Sequence, residues 1–234
     1  MRSRLAPLLA ALLLLLPTLA VAAERPLVIF FGGYGATEAD MQLWQSAAAA
    51  HPRYGRRFEF EAIPYPRDVS SSVSQAVAAA AGTIDAVIEQ IQAMPGRRII
   101  VVGHSSGAGL AVSVVTRTPD NARIKLISLD AGINTEAPPP PDVETYPIRS
   151  LDCWSAASPD TLSFGYRRAK QLCKSRFFVM RSDSCQTAVC LHFRVVNRRA
   201  DPNLTFPQSR ELTGGVSRGY ADLDINLDWL DNAL

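Results

Sequence analysis

Ile99-Ile100-Val101-Val102-Gly103-His104-Ser105-Ser106-Gly107 decides the reading of this chain. Four consecutive β-branched residues favour a short strand, and Gly103 to Gly107 forms a G-x-S-x-G pattern at its end. Ala108 to Arg117 then has the small and apolar composition of a helix. By itself G-x-S-x-G is common by chance. Between a strand and a helix it reads as a nucleophile elbow, a sharp turn that holds its serine exposed above the sheet edge. Glycines flank the serine because a side chain at either one would collide with the neighbouring strand or helix. The plainer alternative is a tight turn in which Ser105 is only a small, tolerated residue.

The amino terminus reads as a secretory leader. Arg2 and Arg4 precede the apolar run Leu5 to Leu16, and Ala20-Val21-Ala22 is a small-x-small cleavage signature. The run is shorter than a membrane span requires. Residues 1–22 are therefore expected to be a signal peptide, and the protein to be exported, to a periplasm or beyond the cell. The sequence carries 24 Lys and Arg against 22 Asp and Glu. Arg2 and Arg4 belong to the leader, which has no acid, so the remainder is balanced. That balance argues against a nucleic-acid partner, whose phosphates demand clustered cations. Arg167-Arg168 and Arg198-Arg199 read as solvated faces.

Cys153, Cys173, Cys185 and Cys190 all lie in the second half of the chain. An even count in an exported chain suggests two disulfides, with three possible connectivities. The pairing Cys153–Cys173 with Cys185–Cys190 is favoured only weakly by position. Zinc is disfavoured because no paired C-x-x-C spacing occurs, and no metal or organic cofactor is expected.

Apolar runs alternate with helix-like stretches along the chain. Pro26 to Phe31 and Phe58 to Ile63 read as strands, as do the elbow strand and Ile124 to Leu129. Tyr146 to Trp154 and Ser175 to Arg181 are further candidates. Thr37-Glu38-Ala39-Asp40 resembles a capping box that opens a helix through Ala50. Ser70 to Met94 reads as one long helix stopped by Pro95-Gly96, and Asp222 to Leu234 as a terminal amphipathic helix. Strand–helix alternation at this spacing predicts a parallel sheet covered on both faces. No inter-domain linker or repeat is evident, so residues 23–234 are expected to form one α/β domain.

A serine hydroxyl needs a base to take its proton, and histidine titrates near working pH. The chain has three histidines. His104 lies inside the elbow, with its side chain expected to point away from the attacking face. His51 ends the first helix, and His192 follows the last candidate strand, where a loop could return it to Ser105. Position therefore favours His192. An acid must fix the tautomer of that histidine. Asp130 ends the run Ile127-Ser128-Leu129, at the same sheet edge as Ser105, while Asp160, Asp152 and Asp183 compete. The developing oxyanion needs backbone donors. The amide of Ser106 is the first, and Gly32-Gly33-Tyr34-Gly35 offers the second at Gly33, with Tyr34 as its neighbour.

With serine, acid and histidine in this order, the chain resembles the α/β-hydrolases over Pro26 to about Asn197. That order places His51 too early to be the base. Leu129-Asp130-Ala131-Gly132 and Cys190-Leu191-His192-Phe193-Arg194 are similar to the acid and histidine patches of pancreatic-type triglyceride lipases. Ala131 departs from their pattern, in which proline occupies that position. Neither a separate carboxyl-terminal lipid-binding domain nor a long lid insertion is visible, and in size the chain is closer to cutinases and small lidless bacterial esterases. The resemblance implies a serine hydrolase of carboxylic esters, small-molecule or lipid, with an acyl-enzyme on Ser105, and the leader makes it a secreted one. A thioesterase or other acyl-transfer hydrolase on the same residues is the nearest alternative, and a catalytically silent binding domain of this fold is another.

Overall fold

The computed structural model describes residues 24–69, 72–130, 140–149, 178–179 and 185–233. Among the described residues, six parallel strands make the central sheet: β1 (Leu27–Phe31), β2 (Glu59–Ile63), β3 (Ile99–His104), β4 (Ile124–Leu129), β5 (Glu144–Arg149) and β6 (Phe178–Val179). Their spatial order is β2-β1-β3-β4-β5-β6. Every residue of β1 and β3 is buried, so both faces of the sheet centre are covered. This explains why these two strands read as unbroken apolar runs rather than alternating ones.

After β1 the chain steps outward to β2, then returns past β1 to lay β3 on its other side, pairing Leu27 with Ile99 and Phe31 with Gly103. The connections leaving β1 and β3 therefore diverge at the carboxyl edge of the sheet. That reversal opens a crevice, which is where open α/β sheets bind their ligands.

Helix α1 (Glu38–Ala50) begins at the capping box read from the sequence: Thr37 Oγ1 accepts from the Asp40 amide, and Asp40 Oδ2 accepts from the Thr37 amide at 2.8 Å. Trp44 of α1 stacks on Phe30 of β1 with ring centroids 4.1 Å apart. The expected long helix from Ser70 is instead two, α2 (Val73–Ala79) and α3 (Ala81–Gln92), broken at Ala80; Ser70 itself lies outside the described residues. The break lets Val73 press on Gly109 of the elbow helix α4 (Gly107–Arg117), where any Cβ would meet Val73 at 2.2 Å, while Ile84, Val87, Ile88 and Ile91 pack into the core.

Two short helices follow β6, namely α5 (Ala188–Arg194) and α6 (Phe206–Ser209), and then the hairpin β7 (Leu212–Thr213) to β8 (Val216–Ser217). The buried Asp40 Oδ1 accepts from the Ser217 amide at 2.7 Å, tying that hairpin to α1. The terminal amphipathic helix expected from Asp222 is not formed. Asp222 is left-handed at φ 48, Ile225 bridges Asn197, and only Asp228–Ala233 makes a 3-10 helix. Burial of Ile225, Leu227, Trp229 and Leu230 fixes this course, and the Trp229 indole donates to the Val195 carbonyl at 3.1 Å.

Strand β5 starts two residues before the expected Tyr146, and residues beyond Arg149 on that stretch lie outside those described. Asp160, Asp152 and Asp183, with Cys153, Cys173 and Arg167-Arg168, also fall outside, as does the leader. Cys185 and Cys190 are joined in a disulfide. Arg198 and Arg199 are exposed and face Asp228 and Asp224, as a solvated surface would.

Candidate active site

Ser105 sits at the turn from β3 into α4 with φ 54, a left-handed conformation that costs a non-glycine residue roughly 1–3 kcal/mol. Its amide donates to the Leu129 carbonyl at 2.9 Å, which ties the turn to the end of β4. The flanking glycines have no room for side chains. A Cβ on Gly103 would meet the Ala108 Cα at 2.3 Å, and one on Gly107 would meet the Gly32 carbonyl oxygen at 2.4 Å. The helix therefore lies directly against both its own strand and the end of β1. Only a sharp elbow fits there.

Asp130 is the next residue after β4 and is also left-handed, at φ 43. Its Oδ2 lies 2.6 Å from Nδ1 of His192, a short hydrogen bond of the kind a carboxylate acceptor favours. The Asp130 side chain is 10% exposed and that of His192 is 26% exposed. His192 is carried on α5, which begins at Thr187, whose Oγ1 accepts from the Cys190 amide at 3.0 Å. The disulfide between Cys185 and Cys190 closes around that same first turn. Ser105 Oγ makes no hydrogen bond with His192 among the described residues.

The loop after β1 folds over the elbow. Gly33 lies so near Ser105 that an added Cβ would stand 2.9 Å from the Ser105 Cβ. The Gly33 carbonyl accepts from Ala36 at 2.9 Å across Tyr34 and Gly35, and Gly35 has φ 82, which makes a tight turn with a left-handed third residue. Ser106 follows Ser105 with φ -63, and its side chain hydrogen-bonds the hydroxyl of the buried Tyr65. Beside this loop a cleft of about 1180 Å³ is lined by Tyr34, Tyr65, Leu110, Arg210 and Leu212, among others. The Arg210 guanidinium lies 4.5 Å from the centre of the Tyr34 ring.

An elbow serine after the third strand, an acid after the fourth and a histidine beyond the last strand are arranged on a parallel sheet of this order. The fold is of the α/β-hydrolase type. No family model matches the chain, and no curated protein matches it. Among solved structures, it is similar to an esterase from Exiguobacterium antarcticum at 16% identity and a TM-score of 0.33, over 47% of this chain and 39% of that one. It is also similar to a CIB-like hydrolase from Thermoplasma acidophilum, at 19% identity and a TM-score of 0.41, over 70% of this chain and 78% of the other. A third likeness is to a protein described as a hydrolase of the alpha/beta superfamily from Xanthomonas campestris, at 14% identity and a TM-score of 0.38, over 68% and 87%. Strand order and elbow geometry, rather than these likenesses, carry the assignment of an α/β-hydrolase fold.

Within that fold, His104 makes contacts that the sequence reading did not anticipate. It is 1% exposed, and its ring centroid is 4.6 Å from that of His192. Its ring lies against that of His192, tilted 30° from it. Burial is the main cause that lowers its pKa to about 3, with the nearby His192 as a second. Tyr65 and Tyr220 also border the site and were not singled out from the sequence, which gives no local signal for either. Among the described residues no cluster of three or more His, Cys, Asp or Glu could hold a metal ion, and no helix is long and apolar enough to cross a membrane.

Proposed function

We propose that the protein is a serine hydrolase that cleaves carboxylic esters through an acyl-enzyme on Ser105. The observation that carries this reading is the 2.6 Å contact between Asp130 Oδ2 and His192 Nδ1, on the same sheet edge as the left-handed Ser105. With Nδ1 committed to the carboxylate, Nε2 of His192 is the nitrogen left to serve the serine. In this reading Ser105 Oγ attacks the acyl carbon as His192 takes its proton. The tetrahedral intermediate collapses, His192 gives that proton to the leaving alcohol, and the acyl group stays on Ser105. Water, deprotonated by the same histidine, then releases the acid and restores the hydroxyl.

The Ser106 amide is one donor to the oxyanion. The Gly33 amide, the first choice for the second donor, approaches the Tyr220 hydroxyl instead. We therefore infer that the next amide in the turn, that of Tyr34, completes the oxyanion hole, while Gly33 gives the loop its close approach to Ser105. The substrate is a small ester or lipid ester, and the protein acts outside the cytoplasm, where a disulfide such as Cys185–Cys190 persists.

Labelling with a fluorophosphonate tests the reading. The wild-type protein is expected to label covalently and to hydrolyse p-nitrophenyl butyrate, and Ser105→Ala to do neither. Labelling that survives Ser105→Ala, or a folded wild-type protein that neither labels nor turns over, overturns it; the second outcome is the one a silent binding domain would give.

A further inference from the structure

His104 has the geometry of more than a filler. Its Nε2 is 3.1 Å from the backbone carbonyl oxygen of His192, so that nitrogen carries the proton and donates. Nδ1 is then the acceptor, and the Tyr220 hydroxyl lies 3.4 Å from it, a long contact. The Tyr220 oxygen in turn meets the amide of Gly33. Gly33 also lies close to that same ring nitrogen, since an added Cβ would be 3.3 Å from His104 Nδ1. One ring thus touches the loop over the serine, the buried Tyr220 and the backbone of the residue paired with Asp130.

The surroundings hold this ring in place. Phe193 is edge-on to His104, His192 and Tyr220, with centroids 5.5, 5.5 and 5.8 Å away. Gly219 leaves space for Phe193, which a Cβ there would meet at 2.2 Å. Asn197 donates to the carbonyls of Gly219 and Ala221, fixing the segment that brings in Tyr220. Burial raises the Tyr220 pKa well above the ordinary phenol value, so its hydroxyl keeps its proton. Burial also keeps His104 neutral, so no second cation opposes the imidazolium that forms on His192 during turnover.

We propose that His104 is a positioning residue for the base: by donating Nε2–H to the His192 carbonyl and receiving Tyr220 on Nδ1, it locks the base-bearing segment to the loop over Ser105. The proposal rests on the triad reading above. A space-filling role makes a different demand. Filling requires only volume, whereas locking requires a donor at the Nε2 position. Gln carries an amide donor at a comparable reach, and Phe carries none.

The experiment compares the full-length protein with its His104→Phe and His104→Gln variants. Hydrolysis of p-nitrophenyl butyrate is measured alongside the one-dimensional proton NMR signal of the His192 Nδ1–H bound to Asp130, and melting is followed by circular dichroism. A displaced base misaligns the proton transfer, so His104→Phe is expected to lower kcat by about ten- to a hundred-fold. Its KM should stay within about twofold, because substrate contacts are untouched. The Nδ1–H signal should broaden or disappear in the same variant, and His104→Gln should restore both signal and kcat. If Phe does not fold, His104→Met takes its place as the donor-free variant.

Equal effects of Gln and the donor-free residue, or a Nδ1–H signal unchanged in both, would overturn the proposal. The NMR comparison does not require turnover. An inactive, unlabelled wild type would refute the hydrolase reading while still deciding whether His104 locks His192.

Discussion

Asp130 and His192 stand 62 positions apart in the chain and 2.6 Å apart in space. The carboxylate is mostly buried and the imidazole about a quarter exposed, so the acid is the drier member of the pair. Asp130→Asn keeps the shape but offers an amide to Nδ1, which favours the wrong tautomer. We expect kcat to fall by about 10³–10⁴ with the fold intact. Ser105→Ala should cost about 10⁶. Steady-state kinetics on p-nitrophenyl butyrate check both values, and Asp160→Asn serves as the control expected to remain close to wild type. A crippled Asp160→Asn beside an active Asp130→Asn would transfer the acid role.

The elbow glycines give a prediction about stability rather than chemistry. At Gly107 a Cβ would come within 2.4 Å of the Gly32 carbonyl oxygen and 2.6 Å of that of Phe31, and neither is a flexible side-chain end. Backbone must move to relieve the clash. Gly107→Ala is therefore expected to destabilise the fold by about 1–3 kcal/mol or more, read from urea unfolding. Gly82→Ala, where nothing lies within 4 Å of the new Cβ, sits on α3 and should be neutral or slightly stabilising. Equal midpoints for the two variants would contradict the packing described at the elbow.

The elbow was legible in the sequence because everything that makes it is local: a β-branched strand, small residues and a helix within nineteen positions of one another, from Ile99 to Arg117. The position of Asp130 was legible for the same reason, since the residue directly after a strand is placed by that strand. His192 came from position among three histidines, which says nothing about what its backbone touches. The contacts of His104 reach 88 positions to His192 and 116 to Tyr220, and no periodicity encodes such distances. The carboxyl terminus misled for a physical reason. Its acids and apolar residues mimic an amphipathic helix, but Ile225 and Leu227 are both buried, two apart in sequence, and Ile225 is held by a bridge to Asn197.

The disulfide should matter for rigidity at His192. Cys185 and Cys190 are five positions apart, and the second is fully buried on the helix that carries His192. Closing so short a loop is worth about 2 kcal/mol in the chain-entropy view. The double variant Cys185→Ala, Cys190→Ala is expected to lose about that much stability, and to lose more in kcat than in KM because the affected helix holds His192, the proposed base. Chemical denaturation and kinetics on the same preparation check it. Unchanged kcat alongside lowered stability would show that α5 is held by its packing alone.

His104 predicts how stability depends on pH. Its pKa is about 3 in the folded protein, against an ordinary value of 6.5, and burial is the leading cause. Above pH 6.5 the ring is neutral in both folded and unfolded chains and contributes no slope. As pH falls from about 6.5 toward 3, the unfolded chain binds a proton that the folded chain refuses, so stability declines, by up to about 1.4 kcal/mol per pH unit for one proton. Carboxylates add their own slopes in the lower part of that window, so the variant comparison isolates the histidine. A donor-free His104→Phe protein has no such proton to bind, and its unfolding free energy should fall less steeply between pH 6.5 and 5. Parallel slopes for the two proteins over that interval would mean that the folded protein admits the proton at His104 after all.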